Sequence, residues 1–139
     1  MMAMKVVNIR GTITQNSNLL RYRLCPSTEF SVGQWQMAIS TLCVHANQDI
    51  NAFLAVTSNA SVSQKYINFQ PSDYQQPLNV VYINLKQGTR SLNRFSYPLF
   101  IDINRVLEEI DFYFTDSLTE RAAAVNAQVS INVLFRRKA

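Results

Sequence analysis

At 139 residues the chain is the size of one domain, long enough to bury roughly two thirds of its unfolded surface and so to form a core without staples. Lys and Arg number 13 against 9 Asp and Glu, for a net charge of +4, yet charged residues make up only 16% of the chain. One His and two Cys without Cys-x-x-Cys spacing exclude the usual four-ligand zinc site, and no apolar run reaches membrane-spanning length.

Met1-Met-Ala-Met-Lys5 lacks a secretory apolar region, so Cys25 and Cys43 read as reduced thiols of an intracellular chain. Lys5 to Gly11 alternates, with Val7 and Ile9 on one side, and predicts a first strand that Gly11 ends. Leu20, Tyr22 and Leu24 alternate with Arg21 and Arg23, giving a second strand with one basic face, closed by Pro26. The stretch from Phe30 to Val44 then carries the only Trp at the head of a long period-2 run. Trp35, Met37, Ile39 and Cys43 share a face interrupted only by Thr41, before Leu42 and Val44 make both faces apolar. That pattern predicts a strand passing from half-exposed to fully buried, with Trp35 as the core anchor between two sheets.

Phe53-Leu-Ala-Val-Thr-Ser58 follows as a short buried strand. The polar stretch from Asn59 to Gln76 reads as a long surface connection with a short strand at Tyr66 to Phe69. Leu78 to Leu85 is apolar on both faces except at Asn79 and Asn84 and predicts a central strand, with Lys86 to Arg90 as a turn. Tyr97, Leu99, Ile101 and Ile103 alternate into another strand, with Pro98 at its tolerant start. Asn104 to Glu109 is the only helical candidate, one or two turns long. Ile110, Phe112 and Phe114 form the next strand, and Val129, Ile131, Val133 and Phe135 the clearest one, ending in Arg136-Arg-Lys138. About eight strands with turns and one long crossing predict an all-β antiparallel sandwich spanning residues 1–139, best a single jelly roll.

Reactive groups are missing from this pattern. A triad would have to use His45, no Gly-x-Ser-x-Gly elbow occurs, and Gly11, Gly33 and Gly88 are too isolated to cradle a phosphate. The reading is of a chain that is not an enzyme and needs no cofactor and no metal. Asn59-Ala-Ser61 matches a glycosylation sequon, a frequent chance motif in a chain without an export signal. A sequence pI near 9.3, with Arg21, Tyr22, Arg23, Tyr97 and Tyr113 interleaved, supports an alternative reading as a nucleic-acid-binding β-barrel. Abundant amide and hydroxyl side chains with few charges fit better with a surface held against other protein.

Phe30-x-x-x-x-Trp35-x-Met-Ala-Ile-x-x-Leu42, Ile50-Asn51 before Phe53 to Asn59, Pro77 to Asn84 and the final Val129-to-Arg137 strand resemble small single-jelly-roll structural proteins of double-stranded DNA viruses, virophages and polinton-like elements. These are the penton, minor capsid and fibre-head types. The resemblance implies a non-catalytic virion component, made in the host cytoplasm or nucleus, whose partners are copies of itself or other capsid proteins. On the residues, the expected partner contacts are Tyr66, Phe69 and Tyr74 in the polar connection and the basic terminus Arg136, Arg137 and Lys138.

Overall fold

A computed structural model describes residues 4–24, 30, 33–67, 70–75, 77–105, 108–119 and 121–138, with the side chains of 62–67 and 70–75 excepted. The described chain is built of strands and contains no helix. In order these are β1 (Met4–Ile13), β2 (Leu19–Arg23), β3 (Trp35–Ala46), β4 (Ile50–Ser58), β5 (Val62–Ile67), β6 (Gln70–Gln75), β7 (Asn79–Leu85), β8 (Arg90–Arg94), β9 (Ile101–Asp102), β10 (Glu109–Asp116) and β11 (Ala127–Arg137).

One sheet runs β1-β11-β3-β8, with the two-residue β9 beside β3, and the facing sheet runs β2-β10-β4-β7. Setting aside β9 and the β5-β6 hairpin, the eight main strands pair from the outside inward: β1 with β11, β2 with β10, β3 with β8, and β4 with β7. All of these pairs are antiparallel. That nesting is a long ribbon rolled into two sheets, the arrangement of a jelly roll. The all-β sandwich expected from strand spacing is therefore the observed fold.

Period-2 alternation sets the core. Val129, Ile131, Val133 and Phe135 of β11 are buried and point at Ile110, Phe112 and Phe114 of β10, with Met37, Ile39, Leu42 and Val44 of β3 beside them. Gly11 does not end β1 but lies mid-strand, where an added Cβ would stand 2.9 Å from Leu20 Cδ2. Its missing side chain lets the two sheets close at this edge.

The long β3 run departs from strict alternation. Asn132 pairs with Thr41 and Val133 with Ile39, so Ser40 is an extra residue bulged out of the ladder. Its carbonyl accepts a hydrogen bond from Phe95 N at 2.9 Å. The bulge turns the second half of the strand by one face, so Leu42 and Val44 join Met37 and Ile39 inside while Thr41, Cys43 and His45 face outward. The apparent two-sided burial of Leu42 to Val44 is thus a change of face, and Cys43 does not share the Trp35 side.

Trp35 sits at the mouth of the sandwich, half-buried. Its ring meets Phe30 edge-on at 5.0 Å between centroids, Phe30 stacks on Phe135 at 4.1 Å, and Tyr22 completes the column 6.2 Å from Phe135. The fully enclosed rings are Phe112, Phe114 and, within that column, Phe135.

Three further expectations change. The stretch after Asn59 is not a plain connection with one strand but the β5-β6 hairpin. The strand near Tyr97 shrinks to Ile101–Asp102, while Arg90–Arg94, of which the sequence assigns only Arg90, as the end of a turn, is β8. Glu109, placed in a helix by the sequence, opens β10; residues 106 and 107 of that candidate lie outside the described residues. In denaturant melts Phe135→Ala is expected to cost about 3–5 kcal/mol and Trp35→Ala roughly half as much, because only the first leaves an enclosed cavity. Equal losses would place Trp35 in the centre after all.

Candidate interaction surfaces

The outer side of β4 and β7 has an unusual composition. Phe53 and Tyr82 are registered partners whose rings lie 4.8 Å apart, and Val80 follows on the same face. Each is about half exposed. The remaining outward positions, Asn51, Ala55, Thr57 and Asn84, carry no charge. Tyr82 Oη donates to Asn51 Oδ1 at 2.6 Å, which anchors its ring beside Phe53 with the two planes tilted by 35°. Past Val80 the surface turns the corner at the β7 edge into an open cleft of about 280 Å³ lined by Pro77, Phe95, Tyr97, Pro98 and Leu99. Tyr97 is almost fully exposed, at 97%.

β7 was expected in the centre of a sheet, since both its faces are apolar. It is an edge strand, hydrogen-bonded among the described strands to β4 alone. Its inner face packs Ile83 into the core, while Val80 and Tyr82 face outward. Double-sided hydrophobicity here therefore marks an exposed strand with unpaired backbone groups, the kind that pairs with another chain. Phe53, Val80 and Tyr82 escaped the sequence reading because burial and an adhesive face leave the same pattern in a short strand.

The β2–β10 side of the second sheet is polar and carries a compensated charge cluster. Asp111 is buried on the outer side of β10, and Arg21 of β2 grips it with Nε 2.7 Å from Oδ1 and Nη2 3.2 Å from Oδ2. Glu109 Oε2 also lies 2.9 Å from Arg21 Nε. The hydrogen bond to Asp111 and its charge, then the charge of Glu109, raise the Arg21 pKa above its ordinary value. Burial, reinforced by the Asp111 charge, raises that of Tyr113, whose hydroxyl donates to Asp111 Oδ2 at 3.4 Å. Asn59 of the sequon belongs to the same network, since its Oδ1 accepts from Asp111 N at 2.9 Å. The expected stacking groove of Arg21, Tyr22, Arg23, Tyr97 and Tyr113 is not assembled. Arg21 is neutralised, Tyr22 turns toward Phe135, and Tyr97 lies at the β7 edge, the far side of the sheet from β2.

Of the residues expected to contact partners, Phe69 lies outside the described residues. Tyr66 and Tyr74 are placed in β5 and β6, and their side chains lie outside the description. The basic terminus is tied to its own fold. Arg136 stacks its guanidinium 3.6 Å from the centroid of Phe100 and donates from Nε to Gln36 Oε1 at 2.9 Å. Lys138 Nζ lies 3.0 Å from Asp102 Oδ2, and Arg137 reaches Gln34 only at 3.5 Å. Among the described residues no three His, Cys, Asp or Glu side chains gather closely enough to hold a metal ion, and no helix is long and apolar enough to cross a membrane.

No family model matches this chain, and no curated protein does. Among solved structures it is similar to a chain in the crystal structure of the T13 IBDV viral particle, with a TM-score of 0.45 and 12% identity, over 96% of this chain and 31% of that one. The chain thus spans less than a third of the length of that viral-particle chain.

The Asp102 carboxyl is held below its ordinary pKa, first by the hydrogen bond from Gln36 Nε2 at 2.9 Å and then by Lys138. With the folded value lowered, the unfolded chain takes up the proton first as pH falls. The stabilisation is complete above the ordinary carboxylate range and drains away as pH drops through the lowered folded value. Asp102→Asn is expected to flatten that acid limb in urea melts, by less than about 1 kcal/mol because the pair is solvent-exposed. An unchanged pH profile would show that the pair does not contribute.

Proposed function

We propose that this protein is a non-catalytic virion structural protein that assembles with copies of itself or with a major capsid protein, in a vertex, cement or fibre-head position. The observation that carries the reading is the uncharged apolar surface of Phe53, Val80 and Tyr82, continuous through Val80 with the cleft at the unpaired β7 edge. Soluble monomers seldom leave contiguous apolar area of this kind in water, and they usually guard an edge strand with charge. The β7 edge is guarded by neither Lys nor Pro within Asn79–Leu85. A rigid jelly roll with one adhesive edge and a core free of unsatisfied buried side-chain groups among the described residues suits a building block.

Light scattering after size exclusion is expected to find an oligomer, or a complex with a major capsid protein, whose mass hardly changes with salt. Val80→Lys, which places a charge on the outward side of the edge, is expected to yield a monomer with thermal stability within about 0.5 kcal/mol of the parent. A parent chain that stays monomeric at high concentration and binds no capsid protein would defeat the assembly reading.

A further inference from the structure

The opposite surface, the outer side of the first sheet, has the reverse chemistry. Three ranks of side chains cross its four strands in register: Asn8, Asn132, Thr41 and Arg94; Arg10, Ser130, Cys43 and Leu92; Thr12, Gln128, His45 and Arg90. These twelve positions hold three Arg and the only His and no carboxylate. Of the other described cations, Arg21 has Asp111 and Glu109, Lys138 has Asp102, and Lys86 lies 3.9 Å from Asp49 at the adjoining loop, while Arg136 and Arg137 are held by the uncharged Phe100, Gln36 and Gln34. Arg10, Arg90 and Arg94 are exposed and make no ion pair with any described residue.

The arrangement is also shaped. The long arginines stand on the two edge strands, β1 and β8, and the short Ser130 and Cys43 stand on the two central ones. Long rims over a short floor make a trough, and its deepest part is an open cleft of about 430 Å³ between Arg10 and Arg90, walled by Thr12, His45 and Gln128. The floor is rigid, because Asn8 Nδ2 donates to Ser130 Oγ at 2.9 Å and to Asn132 Oδ1 at 2.8 Å across the ladder.

Spacing selects the ligand. Strands lie about 4.8 Å apart and rise about 3.3 Å per residue, so the Arg10 backbone stands roughly 14 Å from β8, and Arg90 and Arg94 are roughly 13 Å apart along it. One small anion meets all three guanidiniums only if the three long side chains converge across the trough, whereas a chain of phosphates meets them one by one where they stand. We propose that this trough binds the phosphodiester backbone of a nucleic-acid strand, with Arg10, Arg90 and Arg94 each taking a phosphate. With no Trp, Tyr or Phe in the three ranks, the bases have no stacking platform and binding is independent of sequence. The inference does not rest on the assembly reading, since the two surfaces are on opposite sheets.

Fluorescence anisotropy of the full chain with a labelled oligo-dT 20-mer tests it. Three phosphate contacts on a single strand give a log-log salt slope of roughly −2, so affinity is expected to fall about 20-fold between 50 and 200 mM salt. The triple variant Arg10→Gln, Arg90→Gln, Arg94→Gln is expected to lose that slope, while Arg23→Gln, on the other sheet, keeps it. Cys43 provides a readout in the parent chain: its thiol is free, and the oligonucleotide is expected to slow its alkylation as followed by mass spectrometry. Absence of binding at 50 mM salt, an unchanged slope in the triple variant, or an unprotected Cys43 would each overturn the proposal. Displacement of the oligonucleotide by equal concentrations of inorganic phosphate would overturn it in favour of a small-anion site.

Discussion

Insertion of the last strand between the first and the third is the interaction on which the rest of this structure depends. β11 hydrogen-bonds β1 along one side from Ala127 to Arg136 and β3 along the other from Ala127 to Arg137. Without it the first sheet has no centre, and Phe135 is absent from the aromatic column that closes the mouth of the sandwich. The contacts are highly non-local: the hydrogen bond from Asn8 to Asn132 joins residues 124 positions apart, and Met4 pairs with Arg136 at the end of the same ladder. Closure of such a loop precedes the reward of pairing, so folding of this topology is slow relative to helical domains of the same size.

Once the ribbon is rolled, alternation distributes chemistry between two outer faces. Every inward residue of β4 and β7 leaves an outward neighbour, and on this pair of strands the outward set carries no charge. On β1 and β8 the outward set carries arginine. The same nesting that puts β4 beside β7 puts β1 and β8 at the two rims of the other sheet, so an uncharged surface and a cationic one end up back to back. Contact with a neutral protein surface on one side and with a polyanion on the other, the two proposals made above, would each use one half of that division.

Local electrostatics decide which charges remain free to act. Arg21 and Lys138 contribute to the net positive charge as much as Arg10 does, yet the first closes onto a buried carboxylate and the second onto Asp102. Net charge alone therefore overstates what a ligand meets at the second sheet and understates it at the first. Arg136, one of three adjacent basic residues at the end of β11, is held over Phe100 and by Gln36, and Lys138 lies on Asp102, so the cluster that is densest in sequence is tied down by its own fold.

By itself the sequence determined the all-β class, the sandwich and most strands, because Val129, Ile131, Val133 and Phe135, or Ile110, Phe112 and Phe114, write a period of two that only a half-buried strand satisfies. It could not show the face change at Ser40, since a bulge is a mismatch between two strands and leaves no mark in either alone. Nor could it find β8, whose single apolar residue, Leu92, points outward, or tell that β7 is an edge. Arg10, Arg90 and Arg94 lie up to 84 positions apart and carry no local motif. Strand order alone put them around one trough, and strand order is fixed by which non-local pairs bury the core together, a property of the whole chain and of no window within it.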